Sequence, residues 1–209
     1  MLKRNQFKIA LVAASLSLGA SQAFAQESVS STATVNVSNA FTLAEISPIN
    51  FGTVRLSYTH DGTNDFTTSA AMTINADASP ATFVAGVDSV ASVSVASFTE
   101  ILPGSPAEYS ITGAAPFTAV NVTSLPTATL TNPASPGATL ALTVTTTNFE
   151  IVGGTNPGDA YVQAGPANMI TDGTGAVGFV MGGTITTLAT DVTYGDGAYT
   201  GTYSVVLNY

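Results

Sequence analysis

Apolar and polar residues alternate with a period of two along much of this 209-residue chain, and turn-forming pairs such as Pro103-Gly104 and Asp196-Gly197 interrupt the alternation. That period matches a β-strand with one buried face, because successive side chains of a strand point to opposite sides. We therefore predict an all-β fold, an antiparallel immunoglobulin-like β-sandwich of eight or nine short strands. Strands are expected at residues 33–37, 71–74, 90–98, 139–149, 179–188 and, most clearly, 199–209.

The first 25 residues have the pattern of a secretory signal peptide. Three basic residues fall within the first eight positions, an apolar run follows at residues 9–18, and the segment ends in Ala-Phe-Ala. A signal peptidase reads such small residues, so we predict cleavage after Ala25 and export of the chain. The mature chain then has 184 of the 209 residues and carries thirteen acids against the single base Arg55, a formal charge of −12.

This composition excludes several classes of function. One arginine cannot form the basic cluster that binds nucleic acid, and an anionic membrane surface is disfavoured for the same reason. No apolar stretch after residue 25 reaches the roughly 18 residues of a membrane span, so we predict no transmembrane helix. The chain has no cysteine, which excludes disulfides, thiolate zinc sites and a cysteine nucleophile. Packing alone must then stabilise the exported domain.

The chain offers little catalytic chemistry. His60 is the only histidine and lies in a polar, turn-rich stretch, and the thirteen acids are scattered singly. An acid–base pair or a Ser-His-acid unit has few residues to draw on, so we predict no enzymatic activity, no catalytic residues and no cofactor. Residues 61–65 and 191–196 gather oxygen ligands that calcium prefers, but neither has the spacing of an EF-hand loop, and ordinary turn chemistry explains both.

Short sequence motifs at both ends of the mature chain are similar to those of a known protein family. Residues 33–37 are followed by Phe41-Thr42-Leu43 and by Ile49-Asn50-Phe51-Gly52-Thr53-Val54, and the chain closes with Gly182-Gly183-Thr184 and a Tyr-rich strand at 199–209. These motifs resemble spore-coat-U-like and related fimbrial subunits, which bacteria secrete through archaic chaperone–usher systems. They are more similar still to a bacterial family of secreted domains of unknown function, which the middle element 109–113 also resembles.

The resemblance implies a pilin-like subunit of the cell surface, reached through the periplasm. In such subunits the sandwich lacks one strand, and an N-terminal extension from a neighbouring subunit supplies it. Partners would be other copies, related surface subunits and a periplasmic chaperone. The cysteine pair that these subunits often carry is absent here.

The residues of the predicted joint follow from strand parity. We divide the chain into residues 1–25 (signal peptide), 26–38 (N-terminal extension or first strand) and 39–209 (sandwich). The candidate assembly strand places four apolar residues on one face: Val29, Ala33, Val35 and Val37. The candidate acceptor strand likewise places its large residues on one face: Tyr199, Tyr203, Val205, Leu207 and Tyr209.

Two other interpretations stay open. Residues 31–37 can equally be the first strand of their own sandwich, in which case the protein is a monomeric secreted binding module of an adhesin-like kind. An eight-stranded outer-membrane barrel also ends in an aromatic residue after an alternating strand, but the chain lacks tryptophan and evident aromatic girdles.

Overall fold

The computed structural model describes residues 40–58, 68–87, 94–163, 168–190 and 192–209, all within one compact unit that begins at Asn39. The predicted signal peptide, the predicted strand at 33–37 and the candidate assembly residues therefore lie outside the described residues. Fourteen strands and one turn of 3-10 helix occur in the described ranges. The all-β prediction is confirmed there, although the strands are shorter and more numerous than expected.

The strands follow one another along the chain as β1 (Thr42–Ser47), β2 (Thr53–Tyr58), β3 (Ala71–Ile74), β4 (Thr82–Val84), β5 (Gly86–Val87), β6 (Ser94–Leu102), β7 (Ala107–Thr112), β8 (Asn121–Ser124), β9 (Thr127–Thr131), β10 (Thr139–Thr143), β11 (Phe149–Ile151), β12 (Val177–Met181), β13 (Gly183–Thr186) and β14 (Val206–Asn208). The 3-10 turn, Thr146–Asn148, directly precedes β11.

Every strand pairing is antiparallel. The largest sheet has the order β4-β3-β13-β10-β9, and a four-stranded sheet has the order β1-β7-β12-β11. Two smaller sheets have the strand orders β2-β6-β5 and β14-β8. The four-stranded sheet ends at β1, so one edge of that strand has no strand partner among the described residues.

One hydrophobic core receives side chains from both larger sheets, which makes the fold β-sandwich-like. Phe149 and Phe179 from the four-stranded sheet and Leu142 from the five-stranded sheet are at most 2% exposed and belong to the same cluster. Burial alternates along these strands as the period-two pattern requires. Each fully buried side chain of this size contributes about 1.5–3 kcal/mol, so a disulfide-free chain can be stabilised by packing.

The predicted strand at 179–188 is two strands in two different sheets. The chain leaves β12 at Met181, passes Gly182 and enters β13 at Gly183, so it crosses from the four-stranded to the five-stranded sheet within one residue. The Gly182 N–H donates to the Asn148 carbonyl at 2.7 Å. A Cβ on Gly182 would lie 2.1 Å from the Ile74 carbonyl oxygen, so only glycine fits this crossing.

Other predicted strands also needed correction. The strand at 71–74 is confirmed as β3, and Leu140, Leu142 and Val144 share a buried face as predicted. The expected strand at 139–149 is interrupted, because the Asn148 side-chain oxygen accepts from the Thr145 N–H at 2.8 Å and closes a 3-10 turn. The strand expected at 90–98 is β6, which reaches Leu102; residues 90–93 lie outside the described residues.

No helix in the described ranges is both long and apolar enough to cross a membrane.

The crossing at Gly182 generates a stability prediction. Gly182→Ala should lower the free energy of unfolding by about 1–3 kcal/mol, because the added methyl group overpacks against backbone that cannot move aside. Gly173→Ala is the matched control, since a Cβ there would make only an ordinary contact, 3.5 Å from the Phe117 ring. Urea unfolding of both variants checks this; equal stability of the two would contradict the role given to Gly182.

Candidate functional site

The closing segment, which we define as residues 199–209, presents one face to the core. Its large odd-numbered side chains are half-buried and pack against the core cluster, whereas Thr200, Thr202, Ser204 and Val206 are exposed. The predicted common face of this segment is therefore present. Its members are Tyr199, Tyr203, Val205, Leu207 and Tyr209.

The closing segment is not the continuous strand that the sequence predicts. Only β14 at its end is a strand, paired with β8, and Thr200 exchanges two backbone hydrogen bonds with Thr131 at 2.9 and 3.0 Å. Between these points the neighbouring chain passes from β8 to β9 through Leu125 and Pro126. Proline has no N–H to donate, and it therefore contributes to the break in the ladder.

The other side of the closing segment faces β1 without a backbone ladder. No backbone hydrogen bond joins the two within the described residues. Side chains meet instead: the rings of Phe41 and Tyr209 lie 5.1 Å apart, edge to face, and the Tyr203 hydroxyl lies 3.4 Å from a Glu45 carboxylate oxygen. The order of these contacts shows that β1 and the closing segment run in opposite directions.

A groove opens along this line. One hollow of about 400 Å³ lies between the two segments, and its lining includes Leu43, Glu45, Pro48, Tyr109, Tyr203 and Val205. A second, of about 510 Å³, is lined by Phe41, Leu207, Asn208 and Tyr209. We call these two hollows together the edge groove. Its walls combine apolar side chains with polar residues, among them Glu45, Thr202 and Asn208.

Two tyrosines and one glutamate connect the walls of the groove. Tyr109 lies on β7 opposite Glu45 of β1, and both their polar atoms reach the Tyr203 hydroxyl of the closing segment. The Tyr109 and Tyr203 hydroxyl oxygens are 3.0 Å apart, and Tyr109 donates to Glu45 at 3.3 Å. Two phenol hydrogens are available for the three contacts, so two of the contacts can be full hydrogen bonds at any one time. This tyrosine clasp (Glu45, Tyr109, Tyr203) joins the sheets where a backbone ladder would otherwise be expected.

The tyrosines of the clasp stay protonated at neutral pH. Burial raises the pKa of Tyr109, and the neighbouring Tyr203 and Glu45 raise it further. Burial is also the main cause that raises the pKa of Tyr203. The Tyr109 ring stacks on Phe179 with centroids 4.9 Å apart, so the clasp is anchored in the core. These groups can donate hydrogen bonds, and nothing in their arrangement activates a nucleophile.

Tyr209, one of the residues that line the second hollow, has an unsatisfied polar atom. Its hydroxyl is buried and has no hydrogen-bond partner in the described part of the chain. Leaving a buried hydroxyl unpaired costs about 1–3 kcal/mol.

Four of the five predicted acceptor residues line the groove, and one does not. Tyr203, Val205, Leu207 and Tyr209 line the groove. Tyr199 does not: its hydroxyl donates to the Gly195 carbonyl at 3.2 Å. The candidate assembly residues Val29, Ala33, Val35 and Val37 lie outside the described residues.

Sequence reasoning missed the opposite wall of the groove. Leu43 and Glu45 belong to β1 and Tyr109 to β7. The available signal was that Phe41, Leu43 and Glu45 share one parity. That pattern does not identify Tyr203, which contacts Glu45 but lies 158 residues further along the chain.

The described residues contain no group of three His, Cys, Asp or Glu side chains that could hold a metal ion. His60, residues 61–65 and Asp191 lie outside the described residues, so the calcium alternative stays untested at both stretches. Arg55 is exposed on β2.

Comparison with protein families, curated proteins and solved structures finds no match to this chain. The resemblance to fimbrial subunits therefore stays a prediction from short motifs.

The tyrosine clasp generates a pH prediction. The folded-state pKa of both tyrosines lies above the unfolded value of about 10, so their contribution to stability is complete below that pH and is lost as the pH rises through the folded-state pKa. Tyr109→Phe should therefore make stability less sensitive to alkaline pH, although it removes hydrogen bonds at neutral pH. Urea unfolding at pH 8 and pH 11 measures both effects. If the free energy of unfolding falls by the same amount between the two pH values in Tyr109→Phe and in wild type, the raised pKa is not a source of the alkaline sensitivity.

Proposed function

We propose that the protein is a secreted, cell-surface structural subunit with an immunoglobulin-like, pilin-like sandwich, and that copies associate when a strand from one enters the edge groove of another. The observation that carries this proposal is the gap between β1 and the closing segment. Both present apolar side chains to it, and no backbone hydrogen bond crosses it in the described part of the chain.

Strand addition would account for two features of the groove. An added strand would supply backbone partners to unpaired sheet edges, which otherwise attract other chains. It would also cover Val205, Leu207 and Leu43, which pack against the core but stay only half-buried.

The candidate donor is residues 29–37, whose apolar face consists of Val29, Ala33, Val35 and Val37. Nine extended residues span roughly 30 Å, which is comparable to the length of the closing segment. The donor face is made of small or β-branched side chains, as a narrow groove between two sheet edges requires. Large aromatic residues are absent from it.

The charge of the mature chain fits an exposed assembly. Thirteen acids and one base give like-charged neighbours, which resist lateral clumping, whereas a strand joint is held by backbone bonds and apolar contacts.

The contact between Phe41 and Tyr209 is also compatible with a second function, that of a monomeric binding module. Phe41 lies against Tyr209 at one end of the groove, so a turn at residues 38–40 would let residues 29–37 fold back into the groove of their own chain. The subunit would then be complete alone, and a monomeric binding module would be the better description.

Substitution within the donor tests the proposal. Val35→Asp should abolish heat-resistant ladders on unboiled gels of the secreted protein, because a carboxylate would be forced into the apolar groove. Thr34→Asp is the matched control, since it lies in the same segment with the opposite parity and should leave the ladders intact. Ladders that survive Val35→Asp, or a wild type without ladders, would count against strand exchange.

Cross-linking distinguishes exchange between copies from folding back. The chain has no cysteine, so Val35→Cys and Val205→Cys can be introduced into separate copies and mixed before mild oxidation. Exchange predicts a disulfide-linked dimer containing one copy of each variant. A doubly substituted chain that forms only an internal disulfide, even at high concentration, would favour the monomeric module instead.

A further inference from the structure

The structure exposes a group of large apolar side chains on β4, β5 and β6. Five of the ten large apolar residues that are exposed in the described ranges belong to these three strands, and each is between 38% and 62% exposed. The other five are scattered over separate elements and loops. We call the group the β4–β6 patch; its members are Phe83, Val84, Val87, Ile101 and Leu102.

The register of the strands brings the members of the β4–β6 patch together. β5 pairs with β6 in antiparallel orientation, with Gly86 opposite Ala96. The chain before Gly86 therefore lies alongside the part of β6 that follows Ala96, and β4 packs beside β6. The two patch residues of β4 thus lie next to the strand that ends in Ile101 and Leu102, and Val87 extends the patch along β5.

A β-bulge explains why two successive residues of β6 are both exposed. Leu102 lies opposite Thr53 and Glu100 lies opposite Val54, so Ile101 is an extra residue with no opposite partner on β2. Successive side chains of a regular strand point to opposite faces, whereas a bulge changes their direction locally and interrupts the pairing. The end of β6 therefore presents two large apolar side chains to solvent where ordinary alternation would present one.

The strands around the patch carry no net charge. Among the residues of β2, β4, β5 and β6, Arg55 is the only base and Glu100 is the only acid. The rest of the mature chain then carries twelve of the thirteen acids and no base. Two copies that meet through these strands bring no excess of like charge together, whereas contact through other surfaces places acid against acid. Charge therefore favours this region for contact between copies.

The exposed area of the patch fits a weak contact between two copies. Five large apolar side chains with these exposed fractions leave roughly 400 Å² open to solvent, a size at which a contiguous patch often marks an interaction site. Two such patches in contact would remove about 800 Å² from water, and the polar residues around them would bring the buried area to the roughly 1,000 Å² at which specific interfaces begin. An interface of that size is reversible.

We propose that the β4–β6 patch is a symmetric interface, through which a second copy of the chain binds the same patch of the first. The contact is isologous, so each patch covers the apolar side chains of the other and a two-fold dimer closes without leaving a free patch. None of the patch residues lines either hollow of the edge groove, and the dimer does not rest on strand exchange. Because acidic surfaces keep copies apart elsewhere, lateral contact is confined to this one region.

The test is sedimentation velocity of the full mature chain over a concentration series that reaches the millimolar range. Every sample carries Val35→Asp, so that strand exchange adds no oligomers, and this parent chain should show a reversible monomer–dimer equilibrium. Val84→Asp and Leu102→Asp should each weaken dimerisation about tenfold or more, because a symmetric dimer would bury the new carboxylate in an apolar contact twice.

Two further variants separate the patch from charge in general. Val162→Asp is the matched control, since it adds the same charge at an apolar side chain that is 44% exposed and lies outside the patch; it should dimerise as the parent does. Arg55→Glu keeps every patch residue but makes the surrounding strands acidic, so it should weaken the dimer, and added salt should restore part of the loss. Equal thermal unfolding temperatures will show that each variant keeps the fold.

The proposal is wrong if the parent stays monomeric throughout the series, if Val84→Asp and Leu102→Asp leave its dimer unchanged, or if Val162→Asp causes an equal loss. A monomeric parent whose patch variants unfold at lower temperature would show that a segment of the same chain covers the patch, which also overturns it. In chains that retain Val35, ladders on unboiled gels should be the same with and without Leu102→Asp, so this interface and the strand joint can fail separately.

Discussion

Side-chain contacts, and not backbone hydrogen bonds, join β1 to the closing segment in the described part of the chain. The hollows and the half-buried side chains along that edge depend on this arrangement. The tyrosine clasp connects the closing segment to β1 through Glu45 and to β7 through Tyr109, whose hydroxyl oxygen lies 3.0 Å from that of Tyr203. Val205 and Leu207 stay half-buried along this edge, and the Tyr209 hydroxyl is covered but unpaired within the described residues. Hollows between side chains lie here instead of a backbone ladder.

The period-two pattern predicted the strand class well because each strand buries one face. Leu140, Leu142 and Val144 alternate in the sequence and are buried together. The pattern could not show where a strand leaves one sheet for another. The odd positions Phe179, Met181 and Ile185 are all apolar and buried, yet β12 and β13 belong to different sheets. Gly182 marks the crossing, and its need for glycine arises from the Ile74 carbonyl, over one hundred positions earlier in the chain.

The same limit applies to the groove. Parity along residues 199–209 was enough to predict which side chains of the closing segment share a face. The opposite wall is formed by β1, and the clasp requires Glu45 and Tyr109 to be neighbours across a strand pair. Such neighbours are fixed by topology and register, which no local pattern encodes.

The opposed directions of β1 and the closing segment restrict how any strand can fill the groove. A strand between them must be antiparallel to one and parallel to the other. Residues 29–37 of the same chain would arrive through a turn before Phe41, and they would therefore lie antiparallel to β1 and parallel to the closing segment. A second copy has no such connection, and its strand can lie antiparallel to the closing segment. Antiparallel pairs are slightly more stable per residue, and the regular strand of the closing segment, β14, has three residues against the six of β1. A strand found antiparallel to the closing segment would therefore point to a second copy rather than to self-completion.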